Sequence, residues 1–263
     1  MQSSLDPDLL APGPIREFRL DLTTRCNLRC VYCAVSQPWY AGEDMAADIV
    51  QKAVPAIAQI ATYNELWCVS VNGHGETTFM EGWTEHVGPL LEAGLPVALT
   101  SNLAKDYSDD ELRVLGGIHT IAVSIDTCDR QLLRRLRRRV DVRQIVTNIN
   151  LIRAAAPGRP PHFHFLSGLY DQNSLQLDAF VRFAAALGVE AMNFWNMAKY
   201  DYDAAKIPQG DRPLPLDELA EDELRVCLTA VARGFEVARD RGVAINVHGD
   251  FVYRLADKLG MHV

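Results

Sequence analysis

The sequence predicts an α/β protein built as a partial (β/α)6 barrel. Two observations carry this reading. Short apolar, β-rich runs alternate with longer amphipathic helical runs along the chain. The 263 residues are 48% hydrophobic, enough to bury a sizeable core. Strands alternating with helices imply parallel pairing and right-handed crossovers. Six such units make a partial barrel or a strongly curved open sheet.

Ile15 to Leu22 reads as the first strand and runs into Thr23, Thr24 and a group of cysteines. Asp44 is placed to cap a helix through about Ala61. Leu66 to Asn72 is the second strand, followed by a helix from about Gly82 to Ala93 and a third strand from Pro96 to Asn102. Ile118 to Asp126 is the fourth strand. Helical sequence then runs from about Arg130 to Ala156, with a bend near Val140–Asp141. His162 to Leu169 is the fifth strand, and Leu175 to Leu187 a helix closed by Gly188. Val189 to Met197 is the sixth strand. A connector with Pro208, Pro213 and Pro215 leads to a long helix, Leu216 to Arg241, a last short strand ending at His248, and a terminal helix.

The segments divide as an N-terminal extension (1–14), a core barrel (15–200) and a C-terminal helix, strand and helix (201–263) that complete the core. The net charge of −8 argues against nucleic acid or an anionic membrane as a partner. No apolar run approaches the ~20 residues that cross a bilayer, and no basic-then-apolar leader is seen, so a cytoplasmic location is expected.

In β/α folds the chemistry sits at the C-terminal ends of the strands. After the first strand comes TTRCNLRCVYCAV, which places Cys26, Cys30 and Cys33 within eight residues. Clustered thiols point to metal binding or catalysis rather than a disulfide framework. Three thiolates can hold three irons of a cubane and leave the fourth open, and soft ligands suit iron–sulfur clusters or zinc. A zinc site with a distant fourth ligand such as His74 is the other reading. Zinc ligands usually come as two C-x2-C or His pairs, and no second pair is present.

The segment resembles the radical S-adenosylmethionine (SAM) superfamily, whose signature is C-x3-C-x-aromatic-C directly after the first barrel strand. Tyr32 supplies the aromatic, and the resemblance spans about residues 15 to 197 and extends toward 250. It implies a [4Fe–4S] cluster on Cys26, Cys30 and Cys33, with SAM chelated by the open iron. It further implies one-electron cleavage of SAM to a 5′-deoxyadenosyl radical that abstracts hydrogen from a substrate. A reducing donor such as flavodoxin or ferredoxin would supply the electron.

The same resemblance assigns a SAM shell. Tyr32 would contact the adenine. Asn72 to Thr77 looks like the family's "GGE" segment, in which Gly75 and Glu76 receive the SAM ammonium group, although His74 stands where glycine is frequent. Ser101 and Asn102 end the third strand, where a polar residue near SAM is common; a helix cap or turn is the alternative. Ser124 and Asp126 are similar to the "S-x-D" of the molybdenum-cofactor and peptide-maturase branch, and they share a strand face. Arg137, eleven residues on, would clamp the SAM carboxylate with its planar fork.

Arg134, Arg135 and Arg139 belong to a solvated helix face or greet an anionic substrate. Cys128, just past the fourth strand, is a helix-start residue or a hydrogen-atom donor of the kind some radical SAM epimerases use. Cys68 and Cys227 read as core. Tyr170, Asn173, Asn193, Trp195, Asn196, Met197 and His248 are strand-end candidates for substrate or adenine contact; packing is the competing role. His162 and His164 are assigned no chemistry. No second cysteine cluster follows, so either one cluster suffices or the native chain continues. The expected substrate is a small natural-product intermediate (sugar, nucleoside or amino acid) or a ribosomal peptide, with epimerisation, dehydration, decarboxylation and cross-linking all open. A glycyl-radical activating enzyme and a non-catalytic iron–sulfur module are the alternatives.

Overall fold

The computed structural model describes residues 14–196 and 213–263. Met197, Pro208 and nearly all of the N-terminal extension lie outside the described residues. The elements are β1 (Glu17–Arg19), α1 (Ala47–Ala61), β2 (Cys68–Ser70), α2 (Trp83–Glu92), β3 (Val97–Ser101), α3 (Asp109–Gly117), β4 (Thr120–Ser124), α4 (Arg130–Arg137), α5 (Val142–Ala155), β5 (His162–Leu169), α6 (Asp171–Ser174), α7 (Leu177–Ala186), β6 (Ala191–Asn196), α8 (Glu221–Arg241), β7 (Ala244–Val247) and α9 (Phe251–Lys258).

All strands are parallel and stand in sequence order from β1 to β7, an open sheet whose two edges do not pair. The short last strand joins β6 in register, Asn193 opposite Asn246, so the sheet has seven strands rather than six. Along β5, Phe163, Phe165 and Leu169 are buried beneath the helices, while His162, His164, Leu166 and Gly168 are half-exposed on the other face. The helix-covered face holds the core, built from residues such as Val69, Leu99, Val123, Phe165 and Phe194 with Leu90, Ile149, Phe180 and Leu228.

Three features depart from the sequence reading. Helix α3 is an added element, opened by a capping box in which Ser108 Oγ accepts from Glu111 N and Glu111 accepts from Ser108 N. Asp44 caps no helix. α1 starts after Ala46, and the Asp44 carboxylate accepts instead from Thr23 Oγ1 at 2.5 Å and Arg25 Nε at 2.9 Å. The Arg130–Ala156 run breaks into α4 and α5 because Arg138 and Arg139 take positive φ (48° and 53°), and Asp141 caps α5 by accepting from Arg143 N at 3.0 Å. Positive φ is strained for a side-chain-bearing residue, by roughly 1–2 kcal/mol each.

Candidate active site

The cysteine loop leaves the end of β1 and is tied at three points. Its first part is strapped to the turn after β2: Gly75 N donates to the Thr23 carbonyl at 3.2 Å and Glu76 N to that of Arg25 at 2.8 Å. Gly75 has a steric reason to be glycine, because a Cβ there would lie 2.4 Å from the Thr23 oxygen and 2.5 Å from the Arg25 oxygen. Next, Asn27 Nδ2 donates to the Ala104 carbonyl at 3.0 Å, and its Oδ1 accepts from Asn102 Nδ2 at 2.8 Å. The third tie is to α4, where Val31 N donates to the Leu136 carbonyl at 2.8 Å.

Cys30 is buried, and Cys26 and Cys33 are half-buried. Burial pushes the Cys26 thiol up to about 11 and the Cys30 thiol up to about 12. Among the described residues, no three His, Cys, Asp or Glu side chains converge on a single-ion site. His74 Nδ1 lies 3.5 Å from Asp21 Oδ2. Three thiols on one loop suit a cubane, in which every thiolate binds its own iron. A cavity of about 460 Å3 adjoins Cys26 and is lined by Arg25, Asn27, Arg29, Tyr40 and Arg139 among others.

Glu76 is buried, and its carboxylate gathers four neutral donors. Oε1 accepts from Thr78 N at 3.3 Å, Thr78 Oγ1 at 2.8 Å and Ser101 Oγ at 2.8 Å; Oε2 accepts from Asn102 N at 2.7 Å. Burial raises its pKa, and these hydrogen bonds oppose the rise. Among the described residues no cation pairs with it. A buried carboxylate without a counter-ion suits a cationic group such as the SAM ammonium. Ser101 and Asn102 therefore act on Glu76 and on the cysteine loop, and Asn102 Nδ2 also comes within 3.9 Å of Cys26 Sγ.

Asp126 and Arg137 meet each other. Arg137 Nε donates to Asp126 Oδ2 at 2.7 Å and Nη2 to Oδ1 at 3.0 Å, both residues buried. Tyr32 joins by donating its hydroxyl to Asp126 Oδ2 at 2.5 Å. Burial works against the Arg137 charge, and the adjacent carboxylate more than restores it, so its pKa stands well above the ordinary value. Two nitrogens of the fork expected on the SAM carboxylate are thus engaged with Asp126. Asn173, buried, donates to the Asp126 carbonyl at 3.1 Å. Ser124 ends β4 on the half-exposed face, opposite Leu166.

Cys128 lies in the loop before α4, half-buried against the core. Cys68 is half-buried on the face shared with Glu17, not in the core. Cys227 is buried in α8, as read. Arg134 pairs with Asp141 and Arg135 with Gln172, which leaves Arg139 as the member of that trio that reaches the cavity. Trp195 stacks on His248 with centroids 3.5 Å apart at 7°. Asn27, Thr78 and Asp21 were missed. Asp21 Oδ1 is buried without a hydrogen bond and occupies the space a Gly73 Cβ would fill. No local pattern announces these three.

A model of the Radical SAM superfamily matches residues 20–184, which include the cysteine loop, the Glu76 turn and the Asp126–Arg137 pair. The chain belongs to the radical SAM superfamily. Members of this superfamily are enzymes that use a [4Fe–4S] cluster and SAM, and those are this chain's cofactors. Its relatives include a probable GTP 3',8-cyclase of Methanocella arvoryzae, 26% identical over 206 residues (74% of this chain, 63% of that protein). One of Methanopyrus kandleri is 30% identical over 126 residues (47% and 38%). The chain thus spans less than two thirds of the length of these curated relatives. Among solved structures, SuiB of Streptococcus suis bound to S-adenosylmethionine has a TM-score of 0.68 at 16% identity, covering 92% of this chain and 52% of that one. That likeness supports the partial-barrel fold. No helix among the described residues is long and apolar enough to cross a membrane.

Proposed function

We propose that this radical SAM chain cleaves SAM reductively and directs the 5′-deoxyadenosyl radical onto a small anionic substrate of the nucleotide class. One observation carries the reading: the three-cysteine loop is hydrogen-bonded directly to the turn that holds Glu76, a buried carboxylate with no cation among its described partners. Thiol ligands and a receptor for an ammonium group are thereby held in one rigid unit. When bound, the cluster supplies the electron for SAM cleavage. Cys26, Cys30 and Cys33 hold it, Glu76 orients SAM, and Tyr32 and Arg137 brace the loop from behind. Ser124, at the open face, is left for the ribose or substrate side.

The nucleotide class draws support from the name GTP 3',8-cyclase shared by curated relatives. It also draws on the guanidinium groups of Arg29 and Arg139 at the cavity beside Cys26, donors suited to phosphate. An electron donor such as flavodoxin or ferredoxin completes the reaction. A reducing, cytoplasmic setting suits six free thiols. The test is to supply loaded enzyme, SAM and reductant with GTP, other purine nucleotides, the parent nucleosides or a peptide library. A nucleotide should raise 5′-deoxyadenosine formation and be converted, and Arg139→Ala should raise its KM several-fold. Conversion of peptide alone, or of nucleosides as readily as nucleotides, would overturn the substrate class.

A further inference from the structure

Tyr170 directly follows β5 and is 0% exposed. Its hydroxyl is buried and, among the described residues, has no hydrogen-bond partner. An unsatisfied buried hydroxyl costs about 1–3 kcal/mol, so its retention calls for a reason. Its surroundings supply one. Tyr170 packs with Val31, Leu132 and Leu136 into a small apolar cluster of its own, with Tyr32 against it at a ring distance of 6.5 Å. Val31 and Tyr32 are the two residues between Cys30 and Cys33. Tyr170 therefore packs directly against the Cys30–Cys33 segment, and Asp126, Arg137 and Cys30 are among the charges acting on its hydroxyl. The acidic and basic groups there already satisfy one another: Arg137 and Tyr32 donate to Asp126. Among the described residues the Tyr170 hydroxyl is the donor left over, and it is available to an acceptor bound beside the loop.

We infer that Tyr170 is a positioning and tuning residue that donates its hydroxyl hydrogen to a sulfide of the cluster held by the cysteine loop. This rests on the reading of Cys26, Cys30 and Cys33 as cluster ligands. A hydrogen bond to a cluster sulfur stabilises the reduced, more negative state and so raises the reduction potential. The arrangement makes the cluster easier to reduce without exposing it to water. A hydroxyl held for SAM instead would act on SAM affinity and leave the SAM-free potential alone.

The test is Tyr170→Phe, which keeps the ring and removes the hydroxyl. Two quantities are compared with wild type: the unfolding midpoint of the cluster-free chain, and the midpoint potential of the reconstituted, SAM-free cluster followed by its EPR signal during redox titration. The expected result is a cluster-free stability equal to or above wild type, with a potential shifted to more negative values. A cluster-free chain that is clearly destabilised, with an unchanged potential, makes the hydroxyl structural and overturns the inference. So does an unchanged potential with a several-fold weaker SAM affinity, which would make SAM the acceptor. Failure of wild type itself to assemble a [4Fe–4S] cluster overturns the underlying reading of the cysteines, and it is seen before any variant is made.

Discussion

Arg137 and Asp126 close a bidentate ion pair in the interior, 2.7 and 3.0 Å between their atoms, and Tyr32 shares the same carboxylate from the cysteine loop. The pair anchors the cysteine loop to the ends of β4 and α4. Truncating one member strands the other charge away from water. Asp126→Ala should therefore destabilise the cluster-free chain by roughly 3–5 kcal/mol in urea unfolding, and the double variant Asp126→Asn/Arg137→Gln should lose clearly less than the sum of its single changes. Additive losses would show that the two charges do not depend on each other.

Gly75 sits where the cysteine loop crosses the turn after β2, with backbone oxygens inside the space of a Cβ. Gly75→Ala must push that loop away, at roughly 1–3 kcal/mol of overpacking. Iron and sulfide content after reconstitution should fall well below wild type, whereas Gly88→Ala, with nothing within 4 Å of the added carbon, should load normally. Equal loading of the two variants would contradict a tie between turn and loop.

Glu76 keeps its fold-side hydrogen bonds to neutral donors, so its charge is available to a cation. Glu76→Gln should weaken SAM binding by about 10- to 100-fold in calorimetric titration of the loaded protein, the worth of a charge-assisted hydrogen bond at ~1.5–3 kcal/mol. Cluster content should stay near wild type, because the turn is tied to the cysteine loop through the Gly75 and Glu76 backbone amides, which the substitution leaves in place.

Asp141 gives the clearest acid dependence. Hydrogen bonds from Arg130 and from the Arg143 amide, with Arg130 and Arg134 nearby, hold its pKa down at about 2 from an ordinary 3.8. A depressed carboxylate stabilises the fold above its unfolded pKa, and that contribution is lost as pH falls toward the folded value. The thermal midpoint of wild type should therefore drop between those two values, with a shallower drop in Asp141→Asn. At neutral pH, Asp141→Ala should lose about 1 kcal/mol as the cap of α5 disappears.

What the sequence reveals follows the range of the interactions. The cysteines are legible because their spacing is local. The bounds of β5 are legible because His162, Phe163, His164 and Phe165 alternate in a strand with one covered face. Helix α3 is equally local, with Ser108 and Glu111 in plain capping-box spacing, and its omission is a missed signal rather than an absent one. Asp44 misleads for the opposite reason. It precedes an apolar run as an N-cap does, but its carboxylate is claimed by Thr23 and Arg25 from about twenty residues upstream. The site behaves the same way. The family resemblance points to Glu76, Ser101, Asn102, Asp126 and Arg137, yet nothing in the sequence says that Ser101 and Asn102 bind Glu76, or that Arg137 binds Asp126. Those partnerships appear only when neighbouring strand ends come together.

The measurement closest to the centre of this account is SAM cleavage itself. Protein reconstituted anaerobically with iron and sulfide, given reductant and SAM, should release 5′-deoxyadenosine and methionine, and the Cys26→Ala, Cys30→Ala and Cys33→Ala variants should not. Wild-type protein carrying an intact [4Fe–4S] cluster that yields no 5′-deoxyadenosine would contradict the account.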